Sequence, residues 1–187
     1  MLDRRHVAGA LYGAWRLVRF DAGGMAYFDL SIDGFWASFF AAVLVFPLYI
    51  VQLYLLPDWT DGSVDNGTML LVESVAYAIS WIDFPLLAIP LTRYLGLGGR
   101  YVPFVIALNW ASVLQSVLLV GLVALKATGI LGEFADFLWL GGFIAALVYQ
   151  WFVTRVSLGA PAGMAAALVV IDQILSAALS LATTSLL

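Results

Sequence analysis

Apolar residues run almost unbroken through five stretches of the chain, 35–56, 69–91, 101–125, 137–154 and 162–185. A helix rises ~1.5 Å per residue, so ~20 such residues cross the ~30 Å hydrocarbon layer of a bilayer. The pattern predicts an all-α integral membrane protein: a bundle of five transmembrane helices over 35–187, preceded by a distinct N-terminal segment, 1–34. Within that segment residues 4–20 fit an amphipathic helix. At about 100° per residue, Val7, Leu11, Ala14, Trp15 and Val18 fall on one side, and Arg5, Arg16 and Arg19 on the other. This suits a helix lying in the membrane interface, with Arg5, Trp15, Arg16 and Arg19 at headgroup level. The same face would also suit packing on the cytoplasmic end of the bundle. Gly23-Gly24 should end this helix. Ser31 or Asp33 should cap the next one, because their oxygens can accept a free amide at its start.

The spans are not uniformly apolar. Pro47 should bend the first, which Trp36 and Trp59 flank at interface height. The second carries Asp83 and, two residues on, Pro85. An acidic side chain at mid-membrane costs about 2.5–3.5 kcal/mol on insertion scales, so it turns toward protein or water. Pro85 has no N–H for the Trp81 carbonyl, which then needs another partner. Polar residues also recur at helical spacing. Glu73, Ser80 and Asp83 mark one seam, Asn109, Ser112 and Ser116 (with Gln115 beside them) a second, and Asp172, Ser176, Ser180 and Thr183 a third. Seams of this kind face one another inside a bundle. Counted from the cytoplasmic ends, Asp83 and Asn109 lie roughly 10–12 Å deep, Asp172 roughly 15 Å and Gln115 roughly 20 Å. Ser80, Asp83, Asn109, Gln115, Asp172 and Gln173 are therefore the candidate binding site, between spans two, three and five. The same groups would equally serve as interhelical glue, with the two acids protonated and hydrogen-bonded. Glu73 sits near the outer interface and is expected to be solvated.

Composition excludes the ordinary soluble classes. Of 187 residues 64% are hydrophobic and 11% charged, against roughly 45–50% and 25% in soluble domains. There is no cysteine and His6 is the only histidine, so thiolate, disulfide and multi-histidine metal chemistry have no residues to work with. No basic run with interleaved aromatics supports nucleic-acid binding. The N-terminus is no signal peptide, since Arg16 and Arg19 interrupt any apolar core. A pair of intramembrane aspartates is the chemistry of an aspartyl protease, but neither sits in the Gly-x-Gly-Asp surroundings that class needs. Gly96-Leu-Gly-Gly99 follows a membrane helix rather than a strand and reads as a tight turn, not a phosphate loop. No enzyme, cofactor or metal is expected.

Charge gives the orientation. In a five-span chain Arg4, Arg5, Arg16, Arg19, Arg93, Arg100 and Arg155 share one side, and Lys126 alone takes the other. The positive-inside rule then places the N-terminus in the cytoplasm and the C-terminus outside, in a plasma or bacterial inner membrane. Besides the lipid bilayer, a second membrane protein or a second copy is a possible partner. Gly141, Gly142, Ala145 and Ala146 would let a helix approach closely, and Ala162, Gly163, Ala166 and Ala167 repeat the arrangement in span five, so spans four and five should cross in contact.

The segment Phe28-Asp-Leu-Ser-Ile-Asp-Gly-Phe35 resembles the aromatic, Asp-Leu and Gly-aromatic run that leads proteins of the Yip family into their first span. The family's usual Gly-Pro pair is missing here. An amphipathic N-terminus, five spans and almost no C-terminal tail are similar to that family over nearly the whole chain. The resemblance implies a helical, non-enzymatic membrane scaffold or adaptor, and carries no contact residue over to this chain. The other function open to the sequence is a small transporter or channel subunit working through Asp83, Asn109 and Asp172. Tight, dry packing among the polar seams would favour the first, and a cavity between them the second.

Overall fold

The computed structural model describes residues 3–55 and 65–186. All regular structure there is helical: α1 (Arg4–Val18), α2 (Ile32–Ser38), α3 (Phe40–Tyr54), α4 (Asn66–Ser80), α5 (Asp83–Tyr94), α6 (Tyr101–Ala127), α7 (Phe134–Leu158) and α8 (Ala162–Thr184). Short 3-10 turns occupy Ala22–Tyr27 and Gly98–Arg100. Five helical stretches are long and apolar enough to cross a membrane: Ile32–Tyr54, Gly67–Tyr94, Gly98–Ala127, Phe134–Leu158 and Ala162–Thr184. Their ends fall within about one helical turn of the expected spans. The connection holding Asp58, Trp59 and Asp61 lies outside the described residues.

Two of the spans are broken. The first divides at Phe39 into α2 and α3. Ser31 starts α2 as expected, its Oγ accepting the Gly34 amide at 3.1 Å. The second divides between Ser80 and Asp83, where the Asp83 and Pro85 positions cease to be mid-helix faults. Asp83 opens α5, and its Oδ1 accepts the Phe84 amide at 2.5 Å. An acidic group is favourable there, beside the free amides and positive dipole end of a helix. Pro85 falls in the first turn of α5, where its missing N–H is needed by no intrahelical bond.

Helix α6 is the axis of the bundle. It packs against α1, α2, α3, α5 and α7, and Phe104, Val105, Ile106, Ala107, Trp110 and Ala111 are sealed from solvent. Helix α1 lies across this axis. Ala10, Ala14 and Leu17 are fully buried in a cluster with Ala107, Trp110, Tyr149 and Val153, and Val7, Leu11 and Val18 pack at its edge. The Tyr149 hydroxyl donates to the Ala14 carbonyl at 2.9 Å. Of the two settings open to the apolar face, the membrane interface and the chain's own bundle, the structure shows contact with α6 and α7. Trp15 departs from that face and is half exposed, next to Tyr12, on the side of Arg19.

The end of α1 also differs from expectation. It stops before Gly23-Gly24, with Phe20 left-handed at φ 58° and the Asp21 amide bonded back to the Arg16 carbonyl at 3.1 Å. The Phe20 ring meets Phe152 of α7 edge-on at 5.1 Å. Gly24 serves close approach rather than termination: a Cβ on it would lie 2.5 Å from the Gly13 carbonyl.

The small residues of span four are divided between two surfaces. Gly142 packs under Leu122 of α6, and Ala146 is buried, whereas Gly141 and Ala145 face outward. Gly142 and Ala146 are therefore taken up inside the chain's own bundle. Span five does contact span four, through Gln150 with Asp172 and Gln173 and through Trp151 donating to the Ala162 carbonyl at 2.9 Å; Ala162, Gly163, Ala166 and Ala167 are exposed.

A polar cavity behind the broken helix

Helix α4 packs on α8 and α5, and its backbone stays away from α6. The space between holds a cavity of about 370 Å³. Tyrosines tie α4 to α3 along one side of it. The Tyr77 hydroxyl donates to the Ala42 carbonyl of α3 at 2.6 Å, and Tyr49 of α3 donates to the Glu73 carboxylate of α4. Glu73 is therefore engaged by the first span rather than merely solvated. The Tyr49 and Tyr77 rings lie 4.7 Å apart, and Tyr77 and Trp81 lie 6.1 Å apart. The three form a continuous aromatic wall ending at the break between α4 and α5.

The opposite side of the cavity is polar. Gln150 of α7 donates to Asp172 of α8 at 2.5 Å, and Gln173 donates to Gln150 at 3.3 Å. Gln115 of α6 donates to the Ala146 carbonyl at 3.0 Å. Asn109 donates to Ser38 at 2.9 Å, and Ser38 in turn donates to the Phe35 carbonyl at 2.7 Å. This relay ties α6 to the α2–α3 break. Every buried side-chain polar atom among the described residues has a partner, as stability in a dry environment demands.

Of the six candidate residues, Ser80, Asn109, Gln115, Asp172 and Gln173 line the cavity. Asp83 does not, being turned to the start of α5. The sequence reading placed the site between spans two, three and five, and the structure adds spans one and four through Tyr49, Gln52 and Gln150. Gln150, Thr154 and Ser157 form a buried polar stripe at helical spacing along α7, a signal of the same kind as the three seams that were legible. No group of three or more His, Cys, Asp or Glu among the described residues is placed to hold a metal ion. No family model, curated protein or solved structure matches the chain, so its chemistry must be read from this geometry.

Proposed function

We propose that this chain is a subunit of a small-solute transporter or channel, with the cavity between α3, α4, α6, α7 and α8 as its solute chamber. The observation that carries the reading is the chamber itself. Its volume of about 370 Å³ lies in the ~300–1,000 Å³ range of small-molecule sites, and it sits where a span is interrupted. Transporters that move solutes place their sites at such discontinuous helices, because unwound backbone is tolerated only where it lines a cavity. A scaffold needs close packing and gains nothing from a cavity between α4 and the axis.

The scaffold reading implied by the Yip-like segment keeps one observation in its favour. Tyr12, Trp15 and Arg19 form an outward aromatic and basic patch on α1, suited to a membrane surface or a partner.

The absence of native cysteine makes the chamber directly testable. Single cysteines at Ser112 and Ser116, both in its lining, and at Ser157, buried outside it, are exposed to a charged methanethiosulfonate in sealed vesicles. The chamber cysteines should react at least tenfold faster than the Ser157→Cys control, and from one side only. Equal, slow reaction at all three would overturn the proposal.

A further inference from the structure

We infer that the chamber takes a small organic cation, an ammonium group carried on an apolar body. The inference rests on the reading of the cavity as a solute chamber and adds what that solute must be.

Charge comes first. Asp172 is the one acidic side chain in the lining, and no basic side chain accompanies it there. Arg93, Arg100 and Arg155 are exposed and lie outside it. An anion would meet a carboxyl group with no basic partner beside it, whereas a cation would find its counter-charge.

Hydrogen-bond direction points the same way. The Ser80, Ser112 and Tyr77 hydroxyls donate to the carbonyls of Tyr77, Asn109 and Ala42, and Tyr49 donates to Glu73. Their protons are spent within the protein, and what they can offer a guest is lone pairs. Asp172 Oδ2 accepts from Gln150, while Oδ1 has no bond among the described residues. Among the described residues, only the Ser116 and Ser176 hydroxyls of the lining keep their protons; a lining with most of its hydroxyl protons committed and a carboxyl oxygen free is matched by a solute rich in donors.

The far wall selects the body of that solute. The faces of Tyr49, Tyr77 and Trp81 carry negative π-density, which attracts a cation, and their area suits an apolar group. Bare metal ions fit less well. They need several hard oxygen ligands converging at short range, and no acidic cluster supplies them among the described residues.

The test uses three probes of one shape: phenethylammonium, 2-phenylethanol and 3-phenylpropionate. Each is added to the full-length Ser116→Cys protein in lipid nanodiscs, and binding is read as slowed modification of the cysteine. Phenethylammonium should protect at a concentration at least tenfold below the alcohol or the carboxylate. Introducing Asp172→Asn should erase that advantage while leaving protection by the alcohol unchanged. If that variant does not fold, the ranking of the three probes on the parent decides alone. Equal or better protection by the alcohol or the carboxylate would overturn the cation assignment and leave the chamber standing, as would no protection by any probe. A Ser116→Cys thiol that fails to react at all would overturn the chamber, and the cation with it.

Discussion

Gly34 has no room for a side chain. A Cβ there would lie 1.9 Å from the Asp29 carbonyl oxygen, a backbone atom that cannot swing away. Gly142 is as tight on paper, with a Cβ 2.1 Å from Leu122 Cδ1, but that atom ends a flexible side chain. Gly34→Ala should therefore destabilise the protein by about 3 kcal/mol or more, and Gly142→Ala by about 1 kcal/mol, the two ends of the overpacking range. Denaturant midpoints in one detergent would rank them. Asp21 gives a pH-dependent contact outside the membrane. Arg16, bonded to it at 2.7 Å, and the Gly23 amide at 2.9 Å hold its carboxyl below the usual carboxylate range. A carboxyl depressed on folding stabilises above its unfolded pKa of about 4, and that contribution is lost as the pH falls through the lower folded value. Amide exchange at Gly23 and Gly24 should accelerate over that acid window, and Asp21→Asn should abolish the dependence. At this scale the sequence showed which residues were polar and roughly how deep. It did not show partners, because Glu73 is fixed by Tyr49 and Asp172 by Gln150, both from spans whose rotation no single-helix pattern determines.

At the scale of elements, α1 and the α4–α5 break show what periodicity can and cannot carry. The spacing of Val7, Leu11, Ala14, Trp15 and Val18 marked the buried side of α1 only approximately: its centre is Ala10, Ala14 and Leu17, and Trp15 is half exposed. Whether that side meets lipid or protein could not be read from it, since lipid tails are as apolar as leucine. Docking depends on the fully buried Leu17. Leu17→Ala should cost about 2–5 kcal/mol of that attachment and speed proteolysis of residues 4–30, with the spans still protected. The break in the second span was foreshadowed by Asp83 and Pro85, but its outcome was not. The expectation of a continuous helix with costly groups inside it gives way to two helices for which the same groups are good first-turn residues. A helix-breaking residue in a long apolar run thus marks a start as readily as a fault.

For the whole molecule, five helices long and apolar enough to cross a membrane were legible to within about one turn, because hydrophobic length is a direct physical requirement of crossing a bilayer. The structure adds that the ends are chemically unlike. Arg93, Arg100 and Arg155 flank the turns at one end of α6 and α7, and Lys126 pairs with Asp136 at the other. The positive-inside rule predicts that cysteines replacing Arg93 and Arg155 label only from inside, and one replacing Lys126 only from outside. Labelling of Arg93→Cys and Arg155→Cys from opposite compartments would break the five-span order and the chamber built on it.

The bond from Tyr149 to Ala14 joins residues 135 positions apart, and this sets a schedule for biogenesis. Chains emerge at ~5–20 residues per second, so α1 leaves the ribosome many seconds before its seat on α7 exists. Throughout that wait its apolar side lacks its final neighbours. Helix α1 is thus made early and locked in late, and a defect in its seat on α6 or α7 would leave its apolar side uncovered.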